Sequence, residues 1–221
     1  MAQIDRYTRF RNLVGESRFN SLQGAKILLL GVGGVGGFCL DALFRSGLKN
    51  ITIVDKDSFE ISNQNRQIGS DALGEIKVKH LANLYKGITP IHAKVDEIWI
   101  NEHDFSAYDL VIDAIDDMKA KVQIALHVKG NHISSTGCAK RLDPTQMQID
   151  SIWNTKGDAL AKKFRYELRK AGFEGDFKVV YTSESPNCDG LGSFVGVTGA
   201  FGLALASLAI KTLLEDGAHP L

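Results

Sequence analysis

Residues 26–36 read Lys26-Ile27-Leu28-Leu29-Leu30-Gly31-Val32-Gly33-Gly34-Val35-Gly36, and their pattern decides the fold. Ile27 to Leu30 is a continuous apolar run, as expected of a parallel strand covered on both faces. A helical pattern follows with Leu40, Leu43 and Phe44. A second strand runs from Ile51 to Val54 and ends in Asp55. Strand, glycine turn, helix, strand and acid, in that order, form the dinucleotide-binding fingerprint. Gly31 permits the tight turn. Gly33 and Gly34 let a phosphate approach the backbone, and Gly36 lets the helix pack close to the strand. The helix N-terminus offers unbonded N–H groups and a positive dipole end to an anion. Asp55 stands where a carboxylate can accept hydrogen bonds from ribose hydroxyls. The pattern predicts an adenine nucleotide; the plainer alternative is a tight turn that binds nothing.

Outward from this unit, strands are expected at 91–95, 110–113, 132–136, 146–153 and 177–181, and helices at 75–86, 118–129 and 158–170. Helix and strand alternate, which predicts a doubly wound, Rossmann-like α/β fold: a mostly parallel sheet with helices on both faces. The 221 residues read as one domain, with an arm (1–20), a nucleotide-binding core (26–136) and a C-terminal part for substrate and dimer contacts (140–221). Phe194 to Leu214 is apolar and long enough to span a bilayer. Its many small residues suit close helix packing, and it reads instead as a buried helix, at the core or a subunit interface.

Formal net charge is zero, so any nucleic-acid or membrane contact needs a local patch. Cys39, Cys138 and Cys188 are scattered, with no C-x-x-C pair. Neither a disulfide framework nor a zinc site is expected, and the compartment reads as a reducing cytoplasm. Met1 to Arg6 lacks the apolar core of a signal peptide.

The polar run 56–67 lies just past a strand's carboxyl end, where open α/β sheets bind ligands. Lys77 opens the next helix, where a cation opposes the dipole; it faces a ligand or is a plain surface lysine. Asp116 and Asp117 follow the strand 110–113, and one of them caps the next helix. A nicotinamide dehydrogenase needs no Asn63, Arg66, Lys77 and Asp116 at these edges. An enzyme that cleaves ATP between the α- and β-phosphates does: Arg66 and Lys77 hold the leaving pyrophosphate, and Asp116 holds Mg²⁺.

These motifs, Gly31-x-Gly33-Gly34-x-Gly36, Asp55-x-Asp57, Asn63-x-x-Arg66-Gln67, Lys77 and Asp113-x-x-Asp116, resemble the ubiquitin-activating-enzyme-like adenylating family. The resemblance implies that the matching residues bind ATP and Mg²⁺. It also implies a homodimer in which an arm arginine reaches the partner's γ-phosphate; Arg9, in Arg6-Tyr7-x-Arg9-Phe10, matches that finger. Leu142-Asp143-Pro144-Thr145-Gln146, Asp158-x-Leu160-x-x-Lys163 and Val179-Val180-Tyr181-x-Ser183-Glu184 are similar to the tRNA threonylcarbamoyladenosine dehydratase branch.

That branch implies adenylation of a threonylcarbamoyl carboxylate on tRNA, then cyclising dehydration. The alternative is activation of a small sulfur-carrier protein at its C-terminal carboxylate, and a sulfur-transfer or redox protein is a further implied partner. A binding module without chemistry is a third reading. The sulfur-carrier branch usually has two C-x-x-C zinc pairs, so their absence favours the dehydratase branch and no zinc. Cys188 is a nucleophile candidate, with a bystander loop thiol as the alternative. Helix 158–170 carries Lys162, Lys163, Arg165, Arg169 and Lys170, the first candidates for tRNA phosphates, with Lys140 and Arg141 second; the alternative is a solvated helix face.

Overall fold

The computed structural model describes residues 4–128 and 130–216. Its strands are β1 (Ile27–Leu30), β2 (Ile51–Asp55), β3 (Thr89–His92), β4 (Leu110–Asp113), β5 (His132–Ser135), β6 (Met147–Ser151) and β7 (Lys178–Thr182). They form one seven-stranded sheet in the order β3-β2-β1-β4-β5-β7-β6. All neighbours are parallel except β6, which runs antiparallel to β7. The expected doubly wound α/β fold is present. β1 pairs with both β2 and β4, so the strand order turns around at the β1/β4 boundary. A crevice opens outside their carboxyl ends.

Eight α-helices surround the sheet among the described residues: α1 (Thr8–Val14), α2 (Glu16–Gly24), α3 (Gly36–Arg45), α4 (Lys77–Leu84), α5 (Glu97–Glu102), α6 (Met118–His127), α7 (Ala159–Lys170) and α8 (Val195–Asp216). Alternate residues of β1 serve opposite faces. Ile27 and Leu29 pack with Leu40, Leu81 and Phe201, from α3, α4 and α8. Leu28 and Leu30 pack with Ile100 and Ile124, from α5 and α6. Two apolar faces explain why β1 shows no polar alternation. A third cluster joins α7, through Phe164 and Leu168, to Val179 and Tyr181 of β7.

α8 is long and apolar enough to cross a membrane by composition, yet half of its most apolar window is buried. Its small residues have a local cause. A Cβ at Gly202 would lie 2.3 Å from Val35 O and 2.7 Å from Phe38 Cβ, so α8 lies directly on α3.

Several expected boundaries move. β3 covers 89–92, not 91–95, because it is an edge strand that tolerates Pro90; Val95 is a buried loop residue instead. The arm is two helices, broken at Gly15 with φ +87°. α4 starts at Lys77, not at 75. α6 ends at His127, and Lys129, the expected end of that helix, is outside the described residues. α5 had no expected counterpart.

Candidate active site

The glycine turn sits at the point where strand order reverses. Gly31 has φ +85°, and a Cβ there would lie 2.8 Å from Ala114 O, on the loop that leaves β4. A Cβ at Gly36 would lie 1.9 Å from Gly31 O. α3 therefore starts hard against the turn, as only glycine allows. Its N-cap, Val35, supplies no side-chain cap, and although the Gly37 amide donates to Gly33 O at 2.9 Å, the Gly36 amide at the helix start stays available to an anion. Around Gly33 there is space: the nearest atom to a Cβ would be Gln67 Nε2 at 3.8 Å. Gln67 Oε1 is buried without a partner, an unmet polar group at the edge of this space. Gln67 stood in the quoted motif without a role.

The loop after β2 grips this turn. Asp55 Oδ2 accepts from the Val32 amide at 2.9 Å, and Oδ1 accepts from the Asp57 amide at 2.9 Å. Both oxygens thus already shape the loops, and their remaining lone pairs are what a ribose could use. Lys56 Nζ lies 2.5 Å from Asp57 Oδ1, and Lys77 Nζ lies 3.5 Å from Asp57 Oδ2. Burial pushes the Asp57 carboxyl up, but the two lysines outweigh it and hold the group below the ordinary range. Lys77 is only 5% exposed. It is not a surface lysine; its ammonium is fixed beside the post-β2 loop.

Asn63 is buried, and its side chain closes a capping box with Glu60: Oδ1 accepts from the Glu60 amide at 3.1 Å. Its first task is therefore local. Arg66 Nη1 donates to Ser62 O and Asn65 Oδ1, both at 2.7 Å. Its stem lies over Gly34, where a Cβ would come 3.3 Å from Arg66 Cγ. Asn65 Nδ2 donates to Ser193 O at 3.0 Å, tying this loop to the approach to α8.

The acids after β4 divide their work. Asp113 is fully buried and pairs with buried Lys121 at 2.9 Å. Asp117 caps α6, accepting from Lys119 N at 2.9 Å and Ala120 N at 3.1 Å. Asp116 is exposed and has no hydrogen bond or ion pair among the described residues. Of the two candidate caps, Asp117 takes the structural role and Asp116 is left over. No group of three or more metal-binding side chains occurs among the described residues. Mg²⁺ on a nucleotide needs only one or two carboxylates, with phosphates and water completing the shell, so the donor set fits a metal carried in with ATP.

The chain is matched by a family model. The model described as "ThiF family" aligns with residues 5–221. The chain belongs to the ThiF family. Within it, this ThiF chain is 34% identical to the tRNA threonylcarbamoyladenosine dehydratase of Bacillus subtilis, over 83% of this chain and 76% of the relative. It is 31% identical to the Haemophilus influenzae protein of the same name, over 97% of both chains. The structure of the E. coli tRNA N6-threonylcarbamoyladenosine dehydratase in complex with ATP superposes with a TM-score of 0.90 at 30% identity. That match covers 98% of this chain and 96% of that one.

The remaining candidates of the ThiF chain lie apart from the crevice or stand alone. Arg9 is exposed on α1 without an ion pair among the described residues. Its neighbours are engaged: Arg6 lies 5.2 Å over the Tyr7 ring, and Arg11 pairs with Asp5 at 2.8 Å. On α7, Lys162, Lys163, Arg169 and Lys170 are exposed, and the Arg169 guanidinium lies 5.1 Å over Trp153. Arg165 differs: it turns inward and donates to the Thr155 hydroxyl. Asp158 caps α7 and also accepts from Thr136 Oγ1 at 2.6 Å. Cys39 is buried in the core, Cys188 is exposed, and burial pushes the Cys138 thiol up to about 11. A polar cleft of about 420 Å³ opens beside β6 and β7, lined by Gln148, Asp150 and Tyr181 among others. It shares no residue with the glycine turn.

Proposed function

We propose that the chain uses ATP to adenylate the carboxylate of a threonylcarbamoyl group on a modified adenosine in tRNA, and then closes it to the cyclic, dehydrated form. One observation carries this reading: an open glycine turn at the β1/β4 crevice has cations on one side, Arg66 and Lys77, and an unengaged carboxylate, Asp116, on the other. The names of the relatives and the ATP-bound neighbour support the same chemistry.

The steps balance. A carboxylate oxygen of the substrate attacks the α-phosphorus of ATP. The α–β bridging bond breaks, and pyrophosphate leaves with its electron pair. The carbamoyl nitrogen then attacks the acyl carbon of the mixed anhydride, AMP departs, and the nitrogen's proton passes to solvent. Gly33, Gly34 and the Gly36 amide at the start of α3 hold phosphate oxygens. Arg66 and Lys77 stabilise the charge that builds on pyrophosphate. Asp55 and Asp57 orient the ribose side, with Asn63 keeping their loop in shape. Mg²⁺, held by Asp116, would supply further charge neutralisation at the phosphates. The chain contributes positioning and fixed charge, not a base.

The chain acts as a homodimer in the cytoplasm, where its three free cysteines stay reduced. Arg9, free of local partners, reaches the neighbouring protomer's γ-phosphate. Lys162, Lys163 and Arg169 on α7 contact tRNA phosphates, while Arg165 holds the helix to Thr155. ATP–pyrophosphate exchange tests the reading. Exchange should rise with tRNA bearing the threonylcarbamoyl group and not with a glycine-tailed carrier protein. The reverse dependence would transfer the chain to carrier activation.

A further inference from the structure

The loop after β5 holds an arginine with nothing to bind. Arg141 is 7% exposed, and its Nε is sealed without a partner. Among the described residues its guanidinium forms no ion pair. Asp158, bonded to Thr136 at the start of this loop, is occupied in capping α7, and Glu184 is occupied by the Leu142 and Asp143 amides. A sealed donor without an acceptor is costly to the free protein, so a role in holding the fold does not account for it.

The backbone around Arg141 is pinned. Lys140 is the one non-glycine residue with positive φ, +65°, among the described residues. Its amide donates to Gly192 O at 2.9 Å, and its carbonyl accepts from the Asn187 amide at 2.8 Å. On the other side, Glu184 accepts from the Leu142 and Asp143 amides, each at 2.9 Å. Asn187 Nδ2 braces that carboxylate at 2.5 Å. The buried guanidinium is therefore held in place by its loop, not by an acceptor of its own.

Its surroundings indicate the ligand's charge and position. The loop that carries Arg141 is tied to Arg66 by a chain of hydrogen bonds: Lys140 N donates to Gly192 O, the carbonyl of the next residue, Ser193, accepts from Asn65 Nδ2, and Asn65 Oδ1 accepts from Arg66 Nη1. Arg66 also lies over Gly34. These bonds thus join the phosphate side of the crevice to the loop after β5. A planar guanidinium fork matches a carboxylate.

We propose that Arg141 is the docking group for the substrate carboxylate that becomes adenylated, holding it beside the α-phosphate before attack. This rests on the function proposed above. It differs from a backbone contact, since a side chain this buried cannot sense an RNA surface.

The test uses the full chain, ATP, and one tRNA with and without the threonylcarbamoyl group. The variants are Arg141→Met, of similar volume, and Arg141→Lys. Wild type should bind the modified tRNA more tightly than the unmodified one. Arg141→Met should lose that preference, with its affinity for modified tRNA falling by about 30-fold or more and its affinities for unmodified tRNA and ATP unchanged. Arg141→Lys should restore part of the preference. The Tm of Arg141→Met should hold or rise, since a sealed donor without an acceptor has gone. A retained preference, an equal loss on both tRNAs, or a lowered Tm overturns the inference alone. A wild-type chain blind to the modification overturns the proposed function and this inference with it.

Discussion

The Asp55 carboxylate accepts from the Val32 amide at 2.9 Å, so the end of β2 fixes the glycine turn that leaves β1. The same carboxylate fixes the start of the next loop through Asp57. Replacing it with alanine strands two backbone donors, at about 1.5–3 kcal/mol for each charged hydrogen bond. Asp55→Ala should therefore bind ATP at least about tenfold more weakly, and Asp55→Asn should lose less. Calorimetric titration with ATP checks this; unchanged affinity in Asp55→Ala would remove Asp55 from the site.

Gly36→Ala should be among the most damaging single methyl additions. Its Cβ would meet Gly31 O at 1.9 Å, a backbone atom that cannot yield. The expected loss is about 2–3 kcal/mol, with ATP binding lost as α3 is pushed off the turn. Gly24→Ala is the control, because nothing lies within 4 Å of a Cβ there. Urea unfolding of both variants measures the contrast.

Lys121 donates to Asp113 at 2.9 Å, Ser135 O at 2.8 Å and Ser134 Oγ at 3.1 Å, all under cover. Lys121→Met leaves a buried carboxylate uncompensated and should cost about 3–5 kcal/mol. The double variant Lys121→Met/Asp113→Asn should recover much of it, as urea midpoints would show.

His132 gives the fold an acid limit. Burial pushes its pKa down to about 4, with Asp113 pulling it up and Lys121 down, and its ring lies 4.4 Å from that of Phe177. The unfolded histidine takes up its proton near pH 6.5, so the unfolded state binds more protons between these values. This contribution to stability is complete above about pH 6.5. It fades as pH falls toward 4, by at most about 1.4 kcal/mol per pH unit. His132→Phe should flatten that part of a stability–pH curve measured by urea unfolding.

Much of the fold was legible because it is local. β1, the glycine turn, α3 and β2 follow one another directly, and each has its own periodicity or backbone requirement. The helix expected at 158–170 was legible for the same reason, and the structure adds that Asp158 is its cap. What stayed hidden depends on contacts distant in sequence. Nothing near Lys121 announces its pairing with Asp113, and nothing near Arg165 announces Thr155. Arg141 reads as a surface cation until the fold buries it. Asp116 and Asp117 are chemically alike, and only the start of α6 separates the cap from the spare carboxylate. β3 was misplaced because Pro90 discourages a strand assignment, although an edge position tolerates it.

Arg9 and Asp116 test the arm exchange. Each single alanine variant should be inactive in AMP formation, whereas mixed dimers should regain activity toward half per site. That recovery requires Arg9 to reach the partner's site. No recovery after proven subunit exchange would leave Arg9 in its own protomer's site or in none.

The most direct measurement is the mass of the modified nucleoside after the protein has acted. Threonylcarbamoyl-bearing tRNA is incubated with ATP, Mg²⁺ and the protein, digested to nucleosides under mild conditions, and weighed by mass spectrometry alongside released AMP. The modified nucleoside should lose one water, with one AMP formed for each nucleoside converted, and neither change should occur with Asp116→Ala. An unchanged nucleoside mass with wild-type protein, while AMP forms with a glycine-tailed carrier protein instead, would contradict the account.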